Sequence, residues 1–262
     1  MTEMKTSKAT LFKTMTTFLA TIIPFVVLPF FVVSEVITAP DVRQAVAPDA
    51  GSVLMKLAPD KVPSPAKIGY GYPVVTVMKE MGLSLEHFAL WVSEHPGSAI
   101  KHIKYMPEPM QRDVASIALF IRKSNSKIDA KTAWREASAL VHYSAKYGVP
   151  SALTTAVAEA ESTFNPDAVS SKGASGVMQV MWNIHNALLK SNGIHASPGS
   201  NPLSDPEQSI AAGCLLLSRY MRAYGSIQKA MDRYYGVSST AYRRKINVNI
   251  ARLMTHHSKV FD

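Results

Sequence analysis

Cysteine occurs once in this chain of 262 residues, as Cys214, which excludes an internal disulfide and leaves no thiolate set for a zinc site. It lies in the run AAGCLLL, where a buried structural thiol is expected. Charge is also sparse. Charged residues make up 18% of the chain, and 19 Asp and Glu stand against 28 Lys and Arg, for a formal net charge of +9. That balance favours anionic partners: nucleic acid, anionic lipid or an anionic wall polymer. No Lys/Arg cluster is interleaved with aromatic residues as a nucleic-acid groove requires, so nucleic acid is not expected. His87, His95 and His102 lack a ligand spacing such as H-E-x-x-H and read as exposed or capping residues. Neither a metal nor a cofactor is expected. No run alternates at period two for long enough to make a confident strand, which leaves a mainly α chain with no internal repeat.

What is present begins with Met15–Val33, MTTFLATIIPFVVLPFFVV, about 19 residues without a charge and near the length that spans a bilayer. Lys5, Lys8 and Lys13 precede it, so the positive-inside rule puts residues 1–14 in the cytoplasm and the rest of the chain outside. Pro24 and Pro29 are tolerated in a spanning helix. A cleaved signal peptide is the rival reading, but its apolar region runs to about 7–15 residues. The small-residue sites at Thr38-Ala39 and Ala45-Val46-Ala47 are each followed by proline, so an uncleaved signal anchor is favoured. The expected location is the cytoplasmic (inner) membrane, crossed once, with the remaining chain on the periplasmic side. Residues 34–66, rich in Ala-Pro and Pro-Asp pairs, read as a linker stiffened by proline.

Residues 67–125 read as a small helical region of unknown role, with apolar residues at helical spacing from Val77 to Val92 and from Val114 to Ile121. From residue 126 to 262 the helical pattern is continuous. One helix passes through Trp134, Ala137, Leu140 and Val141 and ends at Tyr147-Gly148, and the next starts after Pro150. After a polar loop come a helix near Met178–Leu189 and long helices from Asp205 and Ile227. The basic stretch YRRKINVNIARLMTHHSK, starting at Tyr242, reads as a solvated helix.

The helix from Ser151 carries two glutamates near its end. Leu153, Val157 and Ala160 form its apolar stripe, with Phe164 beyond. Glu161 follows Val157 by four residues and Leu153 by eight, on that stripe, while Glu159 lies roughly 200° away around the helix. Phase therefore makes Glu159 the solvated residue and Glu161 the buried one. A carboxyl on an apolar face resists ionising and can hold a proton to give to a leaving oxygen. A glutamate at a frayed helix end that turns to water has the same phase, so phase selects a residue without naming a reaction.

The segment Glu161–Met181, ESTFNPDAVSSKGASGVMQVM, resembles the signature of the soluble lytic transglycosylase (SLT) family, E-S-x-F-N-P-x-A-x-S followed by G-A-x-G-L-M-Q. ALVHYSAKYGVPSALTTAVAEAES is similar to the family's lead-in helices, DPEQSIAAGCLLLSRYM to its D-P-x-x-N-I helix, and DRYYG stands at its A-Y-N-x-G. These blocks occur in order over roughly Trp134 to Arg244, less than half the chain.

The resemblance implies a goose-type-lysozyme-like α fold acting on peptidoglycan glycan strands, with Glu161 as the single catalytic acid. A one-acid site departs from the usual pair of carboxylates, and the nearby Asp167 reads as a turn residue after Asn165-Pro166. The N-acetyl group of N-acetylmuramic acid would stabilise the cationic centre. Glu161 would then take a proton from that sugar's C6 hydroxyl as a 1,6-anhydro ring closes. Ser162 and Gln179 would bond glycan or position the acid, Met178 would wall the cleft, and Tyr234 would hydrogen-bond near the glutamate. Tyr235 replaces the family asparagine, which bears on one sugar subsite; Ser209, Val177 and Trp182 are further departures. A hydrolytic muramidase, and a non-catalytic wall-binding module of an envelope-spanning secretion or DNA-transfer assembly, remain as alternatives.

Overall fold

A computed structural model of the chain describes residues 69–261. The expected cytoplasmic segment, membrane anchor and linker fall outside the described residues. Among those described, no helix is long and apolar enough to cross a membrane.

The described chain is mainly helical: α1 (Tyr72–Glu80), α2 (Leu85–Ser93), a 3-10 helix (Ala99–Tyr105), α3 (Glu108–Ser124), α4 (Ala130–Tyr147), α5 (Ser151–Ser162), α6 (Trp182–Ser191), α7 (Pro206–Tyr224), α8 (Ile227–Tyr235) and α9 (Thr240–Phe261). The ends are set by local chemistry. Asp129 and Asp205 accept the backbone N–H groups of Thr132 and Gln208, satisfying donors that the first turns of α4 and α7 leave free. Gly148, at φ 68°, closes α4 in the left-handed conformation, and α5 starts directly after Pro150.

Helix α4 is the central strut. It packs against α3, the 3-10 helix, α5 and α7, and buries Trp134, Ala137, Leu140 and Val141 on the way. The sequence pattern places a boundary at residue 125, yet one hydrophobic core runs across it. Phe88 of α2 meets Trp134 of α4 edge to face at 5.4 Å. A polar tie accompanies that contact. The buried Glu207 at the start of α7 accepts from Ser98 Oγ, from the Ala99 N–H at 2.6 Å and from Arg135 Nε at 3.0 Å, so the 3-10 helix, α4 and α7 share one carboxylate.

Two readings need correction. The helix expected from Met178 begins at Trp182, because residues 174–181 are used in a short hairpin. There β1 (Ala174–Ser175) pairs antiparallel with β2 (Val180–Met181). Helix α9 is not simply solvated either. Tyr242, Ile246, Asn249 and Leu253, spaced four, three and four apart, are buried, and this stripe seats α9 on α5 and α3. Cys214 is fully buried, and burial pushes its thiol up to about 12. His87 Nδ1 lies 2.9 Å from Ser84 Oγ at the start of α2, His95 Nδ1 lies 2.7 Å from the Trp91 carbonyl, and His102 stacks on His142 at 4.5 Å. Among the described residues, no three His, Cys, Asp or Glu side chains gather as a metal site.

Candidate active site

The site is built at the C-terminal end of α5. Thr163 and Phe164 there adopt φ values of 53° and 60°, and Gln179 in the hairpin adopts 47°. Among the described residues these are the non-glycine positions in the left-handed region, and all three flank the same loop. Such conformations cost energy and persist where surrounding contacts fix them. The reversal turns the chain immediately after Glu161 and Ser162 and drives Phe164 into the core, fully buried.

Four polar side chains then fasten the loop. Ser162 Oγ donates to the Val177 carbonyl at 2.7 Å and accepts from the Asn165 N–H, tying the helix end to the hairpin. Gln179 Nε2 donates to the carbonyls of Ala168 and Gly176 at 2.9 and 3.0 Å. Ser209 Oγ accepts from the Met178 N–H, and the Tyr234 hydroxyl donates to the Met178 carbonyl at 2.8 Å. Gly176, at φ 76°, lies so close to the loop before α7 that an added Cβ would sit 2.1 Å from the Leu203 carbonyl oxygen. The loop is thus held by its own backbone and by α7 and α8.

Glu161 is partly exposed, and its Oε1 accepts from the Tyr242 hydroxyl at 2.6 Å. Burial raises its pKa above the ordinary carboxylate value, and the Tyr242 hydrogen bond and the Lys245 ammonium pull in the opposite direction. No carboxylate is among the groups acting on it. Tyr242 is 7% exposed. Burial and the Glu161 charge push its hydroxyl far above the usual tyrosine value, so it stays a donor. Tyr235 stacks on Tyr242 with ring centroids 4.4 Å apart and planes 17° apart, and remains half exposed. The arrangement offers a partly buried carboxyl, a fixed donor and an aromatic face at the mouth of one loop.

Residues 139–247 match the family described as the Transglycosylase SLT domain. This stretch is similar to SLT domains. Its sequence is 42% identical over 97 residues to proteins named membrane-bound lytic murein transglycosylase C from Yersinia pestis (strain Pestoides F) and from Yersinia pseudotuberculosis serotype O:1b (strain IP 31758). Each match covers 36% of this chain and 26% of the relative, so the chain spans about a quarter of the length of the curated relatives it matches.

Within the matched residues the structure brings Glu161, Ser162, Gln179, Tyr234 and Tyr235 to one end of α5 and its loop, in different capacities. Ser162 and Gln179 hold the loop through the bonds just described. Met178 needs correction as a cleft wall. Its side chain is fully buried against Gly213, where a Cβ would lie 2.5 Å from Met178 Cε, so it fills the core and contributes to the loop through its backbone. Tyr234 is directed at the Met178 carbonyl, and the hydroxyl on the glutamate comes from Tyr242 instead. Asp167 is exposed, and its N–H bonds the Asn165 side chain in a turn.

The reading of Glu159 as solvated is overturned. It is 7% exposed, and its Oε1 accepts from Ser124 Oγ and Arg252 Nη1, each at 2.9 Å. The two glutamates differ in partners as well as in burial, Glu159 being the more enclosed. Glu159 is neutralised by an arginine and enclosed by α3 and α9, whereas Glu161 keeps one oxygen on a tyrosine at the edge of the loop. Tyr242 and Lys245 were not candidates from sequence, although the 242/246/249/253 stripe was available to place α9 beside α5.

Proposed function

We propose that this chain is a peptidoglycan lytic transglycosylase that cleaves the β-1,4 bond between N-acetylmuramic acid and N-acetylglucosamine, with Glu161 serving first as acid and then as base. The observation that carries the reading is Glu161 itself: a carboxyl raised by burial, hydrogen-bonded by Tyr242 and without a carboxylate partner. A glycosidase that activates water or forms a glycosyl-enzyme uses two carboxylates. One acid suffices when the substrate supplies the nucleophile. Glu161 gives its proton to the leaving glycosidic oxygen as the C1–O bond breaks, and the sugar's own N-acetyl group stabilises the cationic centre. The Glu161 carboxylate then takes the C6 hydroxyl proton as that oxygen bonds to C1, closing a 1,6-anhydro ring. Proximity favours this intramolecular attack over water.

The SLT match and the named lytic murein transglycosylases support the substrate class. The uncharged run Met15–Val33 behind Lys5, Lys8 and Lys13 supports a chain held in the cytoplasmic membrane with the SLT domain outside it. The test is mass spectrometry of products released from purified sacculi. Anhydro ends lie one water below hydrolytic ends. Products that are all one water heavier would replace this reaction with a hydrolytic muramidase.

A further inference from the structure

Helix α9 grips α5 with one polar face. Tyr242, Lys245, Asn249 and Arg252 follow one another at intervals of three, four and three residues, and each bonds α5. Tyr242 donates to Glu161 Oε1 at 2.6 Å and Lys245 Nζ to the Ala160 carbonyl at 2.6 Å; Asn249 Nδ2 donates to the Ala156 carbonyl at 3.2 Å and Arg252 to Glu159 Oε1 at 2.9 Å. The Asn249 and Arg252 contacts lie deeper along the helix pair. The Lys245 contact falls in the last turn of α5, where carbonyls lack intrahelical partners and the helix dipole is negative.

That placement does more than cap a helix. Ala160 is the residue before Glu161, so the anchored ammonium is held beside the carboxyl that the reaction must discharge and recharge. Tyr242 touches the Glu161 carboxyl, and Lys245 from α9 and Tyr234 from α8 are coupled to its charge; Lys245 is the cation among these three. A carboxylate formed in a partly buried site loses much of its hydration, and a nearby fixed cation offsets that loss. Neutral Tyr242 supplies a hydrogen bond but no charge.

We propose that Lys245 is a positioning residue whose ammonium, anchored on the Ala160 carbonyl, stabilises the charged form of Glu161 between its two proton transfers. The proposal rests on the reading of Glu161 as the acid and base, and adds the charge that balances it. Because Lys245 is exposed, its influence is screened by salt.

The test uses the full chain, Lys245→Met and Lys245→Arg, and follows the Glu161 carboxyl by carbon-13 NMR beside the pH profile of sacculus cleavage. In Lys245→Met, Glu161 titrates about half a unit to one unit higher, and the alkaline limb of activity moves with it. Lys245→Arg restores the original titration, because a guanidinium keeps the charge. Salt at about 0.5 M shifts the wild-type titration up towards that of Lys245→Met and hardly moves the variant. Coincident titrations of wild type and Lys245→Met would overturn the proposal and leave Lys245 a helix cap. If Lys245→Met does not fold, a wild-type titration that ignores salt overturns it equally. A wild type that leaves sacculi intact while Glu161 still responds to Lys245 would refute the transglycosylase reading and retain the electrostatic one.

Discussion

Replacing Tyr242 with phenylalanine isolates the hydrogen bond that distinguishes Glu161 from an ordinary buried acid. The ring keeps its stack on Tyr235 at 4.4 Å, so the lost element is the hydroxyl donating 2.6 Å to Glu161 Oε1. A hydrogen bond to a charged group contributes about 1.5–3 kcal/mol. One pKa unit corresponds to about 1.4 kcal/mol, which sets an upper range of about 1–2 units. Glu161 is partly open to water that can replace the donor, so the lower end, about one unit upward, is expected. The direction follows from the hydroxyl favouring the carboxylate. Without it the protonated acid survives to higher pH, and the alkaline limb of kcat/KM shifts up with it. Stability moves in a related way. A carboxyl whose folded pKa is raised contributes stability that is present at low pH and lost as pH rises through that pKa. Tyr242→Phe raises it further, so the melting temperatures of variant and wild type separate as pH rises and draw closer in acid. The assays are initial rates of sacculus solubilisation and thermal melts, each across pH. An alkaline limb that stays in place or moves down would refute the assignment of this bond to the charged acid.

Two other substitutions test the scaffold. Glu159→Gln removes a charge paired with Arg252, which is half exposed and can rehydrate, so the cost is about 1–2 kcal/mol. In a domain of this size that lowers the melting temperature by about 2–8 °C, with turnover at 25 °C largely retained; a variant as stable as wild type would contradict the buried ion pair. Gly176→Ala places a methyl 2.1 Å from the Leu203 carbonyl oxygen and 2.5 Å from Ser209 Oγ, at φ 76°, where backbone must move. It is expected to cost about 3 kcal/mol or more in denaturant unfolding, and a value under about 1 kcal/mol would show that the loop is looser than described.

How far the sequence could be read depended on the kind of signal each element carries. Gly148 and Pro150 mark the α4–α5 turn, and Asp205-Pro206 marks the start of α7, because these residues act through their own backbones. The hairpin at 174–181 could not be read from alternation, since each strand has two residues. Helix α9 was obscured by its surface: Arg243, Arg244 and Lys245 in succession suggest a solvated helix, while the buried residues recur only once per turn. The phase argument for the glutamates assumed that α5 has one buried face. In the fold every residue from Ala152 to Glu159 is buried, because α4, α7 and α9 all pack against this helix. One stripe therefore could not separate Glu159 from Glu161. The distinction lies in what each carboxyl touches, and those partners are 35 to 93 residues away in sequence.

The most direct test of the central claim is the rate at which Glu161→Gln releases soluble fragments from sacculi, measured beside wild type with sacculus binding as the control for folding. Glutamine preserves the shape and an acceptor for Tyr242 but cannot give up a carboxylic proton. The account predicts retained binding and a rate lower by about 10²–10⁴ or more, since general acid–base catalysis is of that order and one residue supplies both halves of it. A Glu161→Gln variant that binds sacculi and cleaves them within about tenfold of wild type would contradict it.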